Sequence, residues 1–121
     1  MMYCHGRDKY FRPCIVLDSS VFESIRSKRP DLFEMDVICT AGVFLLSYVR
    51  KHMFLPGQVE NWVIINNLNK LALNKVPRKE MQKLIWVLQN NFRCTMGRAW
   101  GINCTKFQLV CFKIIEIFIE E

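Results

Sequence analysis

The stretch "NWVIINNL" (Asn61–Leu68) decides the fold. Its centre, Trp62-Val63-Ile64-Ile65, is apolar without alternation, as in a strand buried on both faces rather than wetted on one. Such a strand needs helices above and below it. Upstream, "FLPGQ" (Phe54–Gln58) supplies a Pro-Gly breaker. Before that breaker, Leu32, Met35, Val37, Ile38, Ala41, Leu45, Leu46 and Val49 recur at spacings of three and four, predicting an amphipathic helix capped by Asp31 and ending near His52. Further upstream, "RPCIVLD" (Arg12–Asp18) is a short, proline-opened, β-branched run and reads as a strand. The intervening "SSVFESIRSKRP" reads as a polar connection with one helical turn before Pro30.

Downstream, "NKLALNKVPRKE" reads as a loop. From Arg78 to Phe92, Met81, Leu84, Ile85, Leu88 and Phe92 fall on one helical stripe, with Trp86 and Val87 off it. "TMGRAWGIN" (Thr95–Asn103) reads as a third strand, with Gly97 and Gly101 as its weak points. Strands separated by helices of this length predict an α/β fold with a mostly parallel sheet flanked by helices. The terminal "FQLVCFKIIEIFIEE" (Phe107–Glu121) alternates in part like a strand. A helix is favoured, because Lys106, Lys113, Glu116 and Glu120 fall on one narrow polar stripe.

The chain has 121 residues, 51% of them hydrophobic, which fits one domain with its own core. A balance of 17 Lys and Arg against 11 Asp and Glu gives +6. That excess suits acidic partners, but the cations are scattered in pairs and form no nucleic-acid arm. Nucleic acid is therefore not expected as a partner. The six cysteines include no C-x-x-C pair and no histidine at zinc-ligand spacing, so no metal site is expected. They read as small buried residues in a reducing compartment. The opening "MMYCHGRDKY" lacks the apolar stretch of a signal peptide, which suggests a cytoplasmic protein. Phosphate-loop, dinucleotide, nucleophile-elbow and H-E-x-x-H signatures are absent from the sequence, and the early carboxylates form no obvious acid/base pair. No catalytic residue is assigned. An enzyme using Cys94 or Cys104 would need a nearby base, and His5 and His52 lie on segments placed elsewhere.

"GRDKYFRPCIVLD", then a long helix, then "LPGQVENWVIINNLNKL", "NNFRCTMGRAWGIN" and the terminal apolar run together resemble the CRAL-TRIO lipid-binding domain family, whose members include phosphatidylinositol and phosphatidylcholine transfer proteins. The resemblance spans nearly the whole chain in order. Its most specific points are Asp8, Lys9, Arg12 and Pro13, and Gln58, Glu60 and Trp62. It implies a lipid pocket between a sheet floor and a mobile gate helix that also touches the membrane. The gate would fall at Phe107–Ile119, with Phe107, Val110, Phe112, Ile114, Ile115 and Phe118 as ligand contacts. Val63, Ile65, Trp100 and Ile102 are the candidate floor, with the parity of each strand left open by alternation. Arg98 is a candidate contact for a lipid phosphate. No cofactor is implied beyond a bound lipid.

The sequence departs from that family's pattern at several points. Cys94 stands where phosphatidylinositol-binding members carry glutamate, and Phe11 stands where glycine is common. The chain also lacks the N-terminal helical bundle and does not reach the strand that follows the gate. An incomplete sheet edge predicts a homodimer through that edge or the terminal helix. Two functions compete: intracellular transfer of a hydrophobic ligand by a peripheral membrane protein, or a ligand-free module that binds a protein or a membrane surface.

Overall fold

A computed structural model describes residues 2–69, 71 and 78–110; the side chains of 22, 23, 78–81 and 84 are not among those described. Among the described residues, four strands form one sheet in the order β1 (Met2–Arg7), β2 (Pro13–Asp18), β3 (Trp62–Asn67) and β4 (Met96–Ile102). The first pair is antiparallel, and β2–β3 and β3–β4 are parallel. This is the expected α/β sheet, mostly parallel, with an added antiparallel strand.

Strand β1 was not anticipated. Its burial alternates strictly, with Met2 and Cys4 turned inward and Tyr3, His5 and Arg7 exposed, which is the period of a half-wetted strand. The register slips between Cys4 and Gly6, and Gly6 sits at φ 127°, a conformation glycine adopts without a Cβ clash.

Helix α1 (Phe22–Lys28) follows a 3-10 turn at Ser19–Val21, so the connection holds more helix than one turn. Helix α2 (Met35–Met53) starts later than the sequence suggests. Asp31 lies in a separate 3-10 turn, Pro30–Phe33, and its carboxylate is held by both arms of the Arg29 guanidinium at 2.9 and 2.7 Å. It is therefore engaged beside the helix and does not cap it. Buried Cys39, Gly42, Leu46 and Val49 mark the α2 stripe at spacings of three and four. Helix α3 (Arg78–Asn91) packs Leu88 into the same core, with Phe92 just beyond its end, and leaves Trp86 exposed.

The core lies between α2, α3 and one sheet face, around Ile15, Leu46, Val49, Trp62 and Phe92. Trp62 sits between Phe54 and Phe92, each ring centroid 5.5 Å away. Ile15 and Val49 are 0% exposed, and each fully buried aliphatic side chain of this kind contributes about 1.5–3 kcal/mol. The Lys83–Asp36 bridge between α3 and α2, at 2.7 Å, is solvent-exposed and adds little by comparison. No described helix is long and apolar enough to cross a membrane.

Candidate functional site

Pairing across the sheet fixes which residues share a face. Cys14, Val63 and Arg98 form one row; Tyr3, Val16, Ile65 and Trp100 form the next; Asp18, Asn67 and Ile102 form a third. Because side chains alternate, these rows lie on the face opposite Cys4, Ile15 and Ile64, which pack toward α2 and α3. All five sheet residues singled out from the sequence therefore share one face. Val63 is buried and Ile65 half-buried, whereas Trp100 is 53% and Ile102 45% exposed. Arg98 is exposed as well.

The ends of the parallel strands are tied by a polar chain. Asn67 donates to Asp18 at 3.1 Å, and Asn103 donates to Asn67 at 2.9 Å. Ser20 gives Asp18 both its hydroxyl, at 2.6 Å, and its amide, at 3.0 Å. These hydrogen bonds, led by the Ser20 hydroxyl, hold the Asp18 carboxyl below its ordinary value.

Just beyond, residues 106–110 form a helical turn with a capping box at its start. Gln108 Oε1 accepts the Thr105 amide at 2.7 Å, and Thr105 Oγ1 accepts the Gln108 amide at 3.3 Å. The Gln108 Nε2 group also donates to the Leu71 carbonyl at 2.9 Å and to the Leu68 carbonyl at 3.4 Å. Gln108 is only 4% exposed, so the start of this helix is pinned to the exit of β3. Around that pin, Phe107, Leu109 and Val110 remain exposed. Phe112, Ile114, Ile115 and Phe118 lie outside the described residues.

A family model described as the CRAL/TRIO domain matches residues 1–121. The chain belongs to the CRAL/TRIO family. Membership implies, in general terms, binding or transfer of a lipophilic ligand, and such domains are typically binding modules rather than enzymes. No curated protein and no solved structure matches the chain.

Within this CRAL/TRIO domain the motif residues have structural tasks. Asp8 organises the β1–β2 turn: its Oδ1 accepts the Tyr10 and Arg12 amides, both at 2.9 Å, and its Oδ2 pairs with the Arg12 guanidinium at 2.6 Å. Partial burial works against ionisation of this carboxyl, but the hydrogen bonds from Arg12 and Tyr10 outweigh it and hold the group below its ordinary value. Phe11 sits at φ 60° in this turn, the left-handed conformation that glycine would occupy without strain. In the second motif, Glu60 accepts the Gly57 amide at 3.1 Å and closes the Pro-Gly turn, while Trp62 enters the core.

Cys94 is exposed at φ 57°, just before β4. A thiol there offers no carboxylate to a headgroup. Near the start of β4 an open hollow of about 330 Å³ is lined by Tyr10, Arg12, Gln58, Val59, Asn61 and Arg98. It is polar, and Asn61 Oδ1 is buried beside it with no hydrogen-bond partner among the described residues.

Two features of the candidate site are not read from the sequence. Gln108 was counted only as part of an apolar run, although Thr105-x-x-Gln108 ahead of apolar residues is the signature of a capping box. Tyr3 and Val16, which extend the exposed face, could be placed only once β1 was recognised.

Proposed function

We propose that this chain binds a hydrophobic ligand, a phospholipid or smaller lipid, and carries it between membranes without chemistry on it. The floor is the sheet face of Val63, Ile65, Trp100 and Ile102, and the cover is the segment beginning at Phe107. The observation that supports this most is the shared register of those residues on the face away from the core helices, with large apolar side chains left exposed at its β4 side and on the adjoining helical turn. Trp100, Ile102, Phe107 and Val110 have unburied apolar area that acyl chains would cover. Arg98, on the same face, would meet a lipid phosphate. The protein would then act in the cytoplasm and touch membranes transiently.

Native mass spectrometry of the purified chain, with organic extraction of bound material, tests this. One lipid per chain is the expected result. A ligand-free mass that persists after incubation with mixed-lipid vesicles would defeat the carrier reading. The same spectrum reports oligomeric state, and a homodimer would form along β4, one of the two outer strands among those described, or through the terminal segment.

Exposed Cys94 in place of a headgroup carboxylate favours a second reading, a ligand-free module that binds a protein or a membrane surface.

A further inference from the structure

The topology gathers one kind of charge at one edge. Strands β2, β3 and β4 all start there, and antiparallel β1 ends there. The C-terminal ends of α2 and α3 return to it, as the contacts of Trp62 with Phe54 and Phe92 attest. The turn contributes Arg7, Lys9 and Arg12, the last turn of α2 adds Arg50 and Lys51, and Arg93 and Arg98 flank the start of β4. Against these seven cations stand two carboxylates, Asp8 and Glu60, so the segments at this edge hold +5 of the chain's formal +6.

The same edge displays apolar side chains that nothing described here covers. Tyr10 and Leu55 are exposed, and Phe11, at the tip of the turn, is 66% exposed. The turn that carries Phe11 is tied by hydrogen bonds: the Asp8 carboxylate closes it, and Arg7 Nη1 donates to the Phe11 carbonyl at 2.6 Å. A phenylalanine held in a left-handed conformation without packing in return is a poor choice for stability alone. Lys9 and Arg12 lie over the Tyr10 ring at 5.0 and 5.1 Å, so cation and aromatic surface are presented together.

Exposed aromatics ringed by lysine and arginine match the headgroup layer of an anionic bilayer, where rings enter the interface and cations meet phosphate. We infer that this edge, centred on the β1–β2 turn, docks the protein on anionic membranes. The inference goes beyond the carrier reading: it needs no ligand on the sheet face and uses the end of the sheet opposite residues 106–110, which are tied to the exit of β3. Clustered positive charge would attract any polyanion, but an apolar tip favours a bilayer over nucleic acid.

Vesicle co-sedimentation of the full chain tests it, comparing phosphatidylcholine vesicles with vesicles containing about 30% phosphatidylserine. The expected result is selective binding to the anionic vesicles, weakened by salt. Neutralising Lys9, Lys51 and Arg93 together with glutamine should lower affinity about a hundredfold, at about fivefold per charge. Phe11→Gly is the sharper variant, because it relieves the backbone and should leave thermal stability equal or higher while lowering vesicle affinity about tenfold. Equal binding to both vesicle types, or Phe11→Gly binding like the parent, overturns the inference. So does tighter binding to a single-stranded oligonucleotide than to the anionic vesicles. Loss of vesicle binding with lipid still extracted from the chain would separate this surface from the ligand pocket.

Discussion

Replacing Gln108 with alanine removes a side chain that makes three contacts from a nearly buried position. The Oε1 atom accepts the Thr105 amide at 2.7 Å, and Nε2 donates to the Leu71 carbonyl at 2.9 Å and, more weakly, to the Leu68 carbonyl at 3.4 Å. A net hydrogen bond contributes about 1 kcal/mol, and stranding buried carbonyls adds to the loss, so Gln108→Ala should cost about 2–3 kcal/mol. For 121 residues the entropy of unfolding makes 1 kcal/mol worth about 4 °C in Tm, which predicts a fall of about 8–12 °C. Thr105→Ala loses only the reciprocal cap and should cost about 1 kcal/mol, or about 4 °C. Gln108→Glu keeps an acceptor for Thr105 but turns a carboxylate toward two carbonyls, so it should be at least as damaging as alanine. Thermal unfolding followed by circular dichroism gives the three values, and hydrogen exchange of the 106–110 amides shows whether that turn loosens first. A Gln108→Ala protein within about 2 °C of the parent, or one more stable than Thr105→Ala, would refute the claim that Gln108 pins this helix to the exit of β3.

Trp100→Ala should change the urea midpoint little, since the ring is 53% exposed, while clearly reducing the lipid recovered by organic extraction. Ile15→Ala should destabilise the chain by about 2–5 kcal/mol, read by urea unfolding, because the side chain is 0% exposed within the main cluster. Acid should unfold the protein through Asp8 and Asp18, whose carboxyls both titrate below the ordinary 3.8. A folded value depressed below the unfolded one gives stability that is present above the unfolded value and lost as pH falls through the folded value. Unfolding midpoints should therefore drop from about pH 4 downward, and Asp8→Asn should flatten that fall when the series is repeated.

The sequence was most informative where burial was two-sided or helical. Trp62 and Val63 are both buried, so β3 could be read from an unbroken apolar run; in α2 the helical spacing was legible, but of the stripe read from the sequence Leu46 and Val49 are fully buried, Cys39 and Gly42 complete the buried row, and Val37 and Ala41 face solvent. Strand β1 failed because half of its residues face water and its inner positions include a cysteine and a glycine, which give a weak alternating signal. The start of α2 was misplaced because Asp31 stands just before the apolar-periodic run, as a cap would, while its carboxylate is occupied by Arg29. Sheet residues of the candidate site could be chosen by type, but their shared face depends on register, which a period-two pattern leaves ambiguous until the neighbouring strands are known.

Spatial order in the sheet repeats chain order, β1-β2-β3-β4. Each strand joins the edge left by the one before it, and none must be inserted between two already paired. On a ribosome, where the chain emerges from its N-terminus, the β1–β2 hairpin can close first and each following helix–strand unit can then dock on a finished template. A topology with β3 added last between two waiting strands would hold open edges exposed throughout synthesis; this one leaves a single growing edge at a time, and so shortens the interval in which nascent chains can pair with one another.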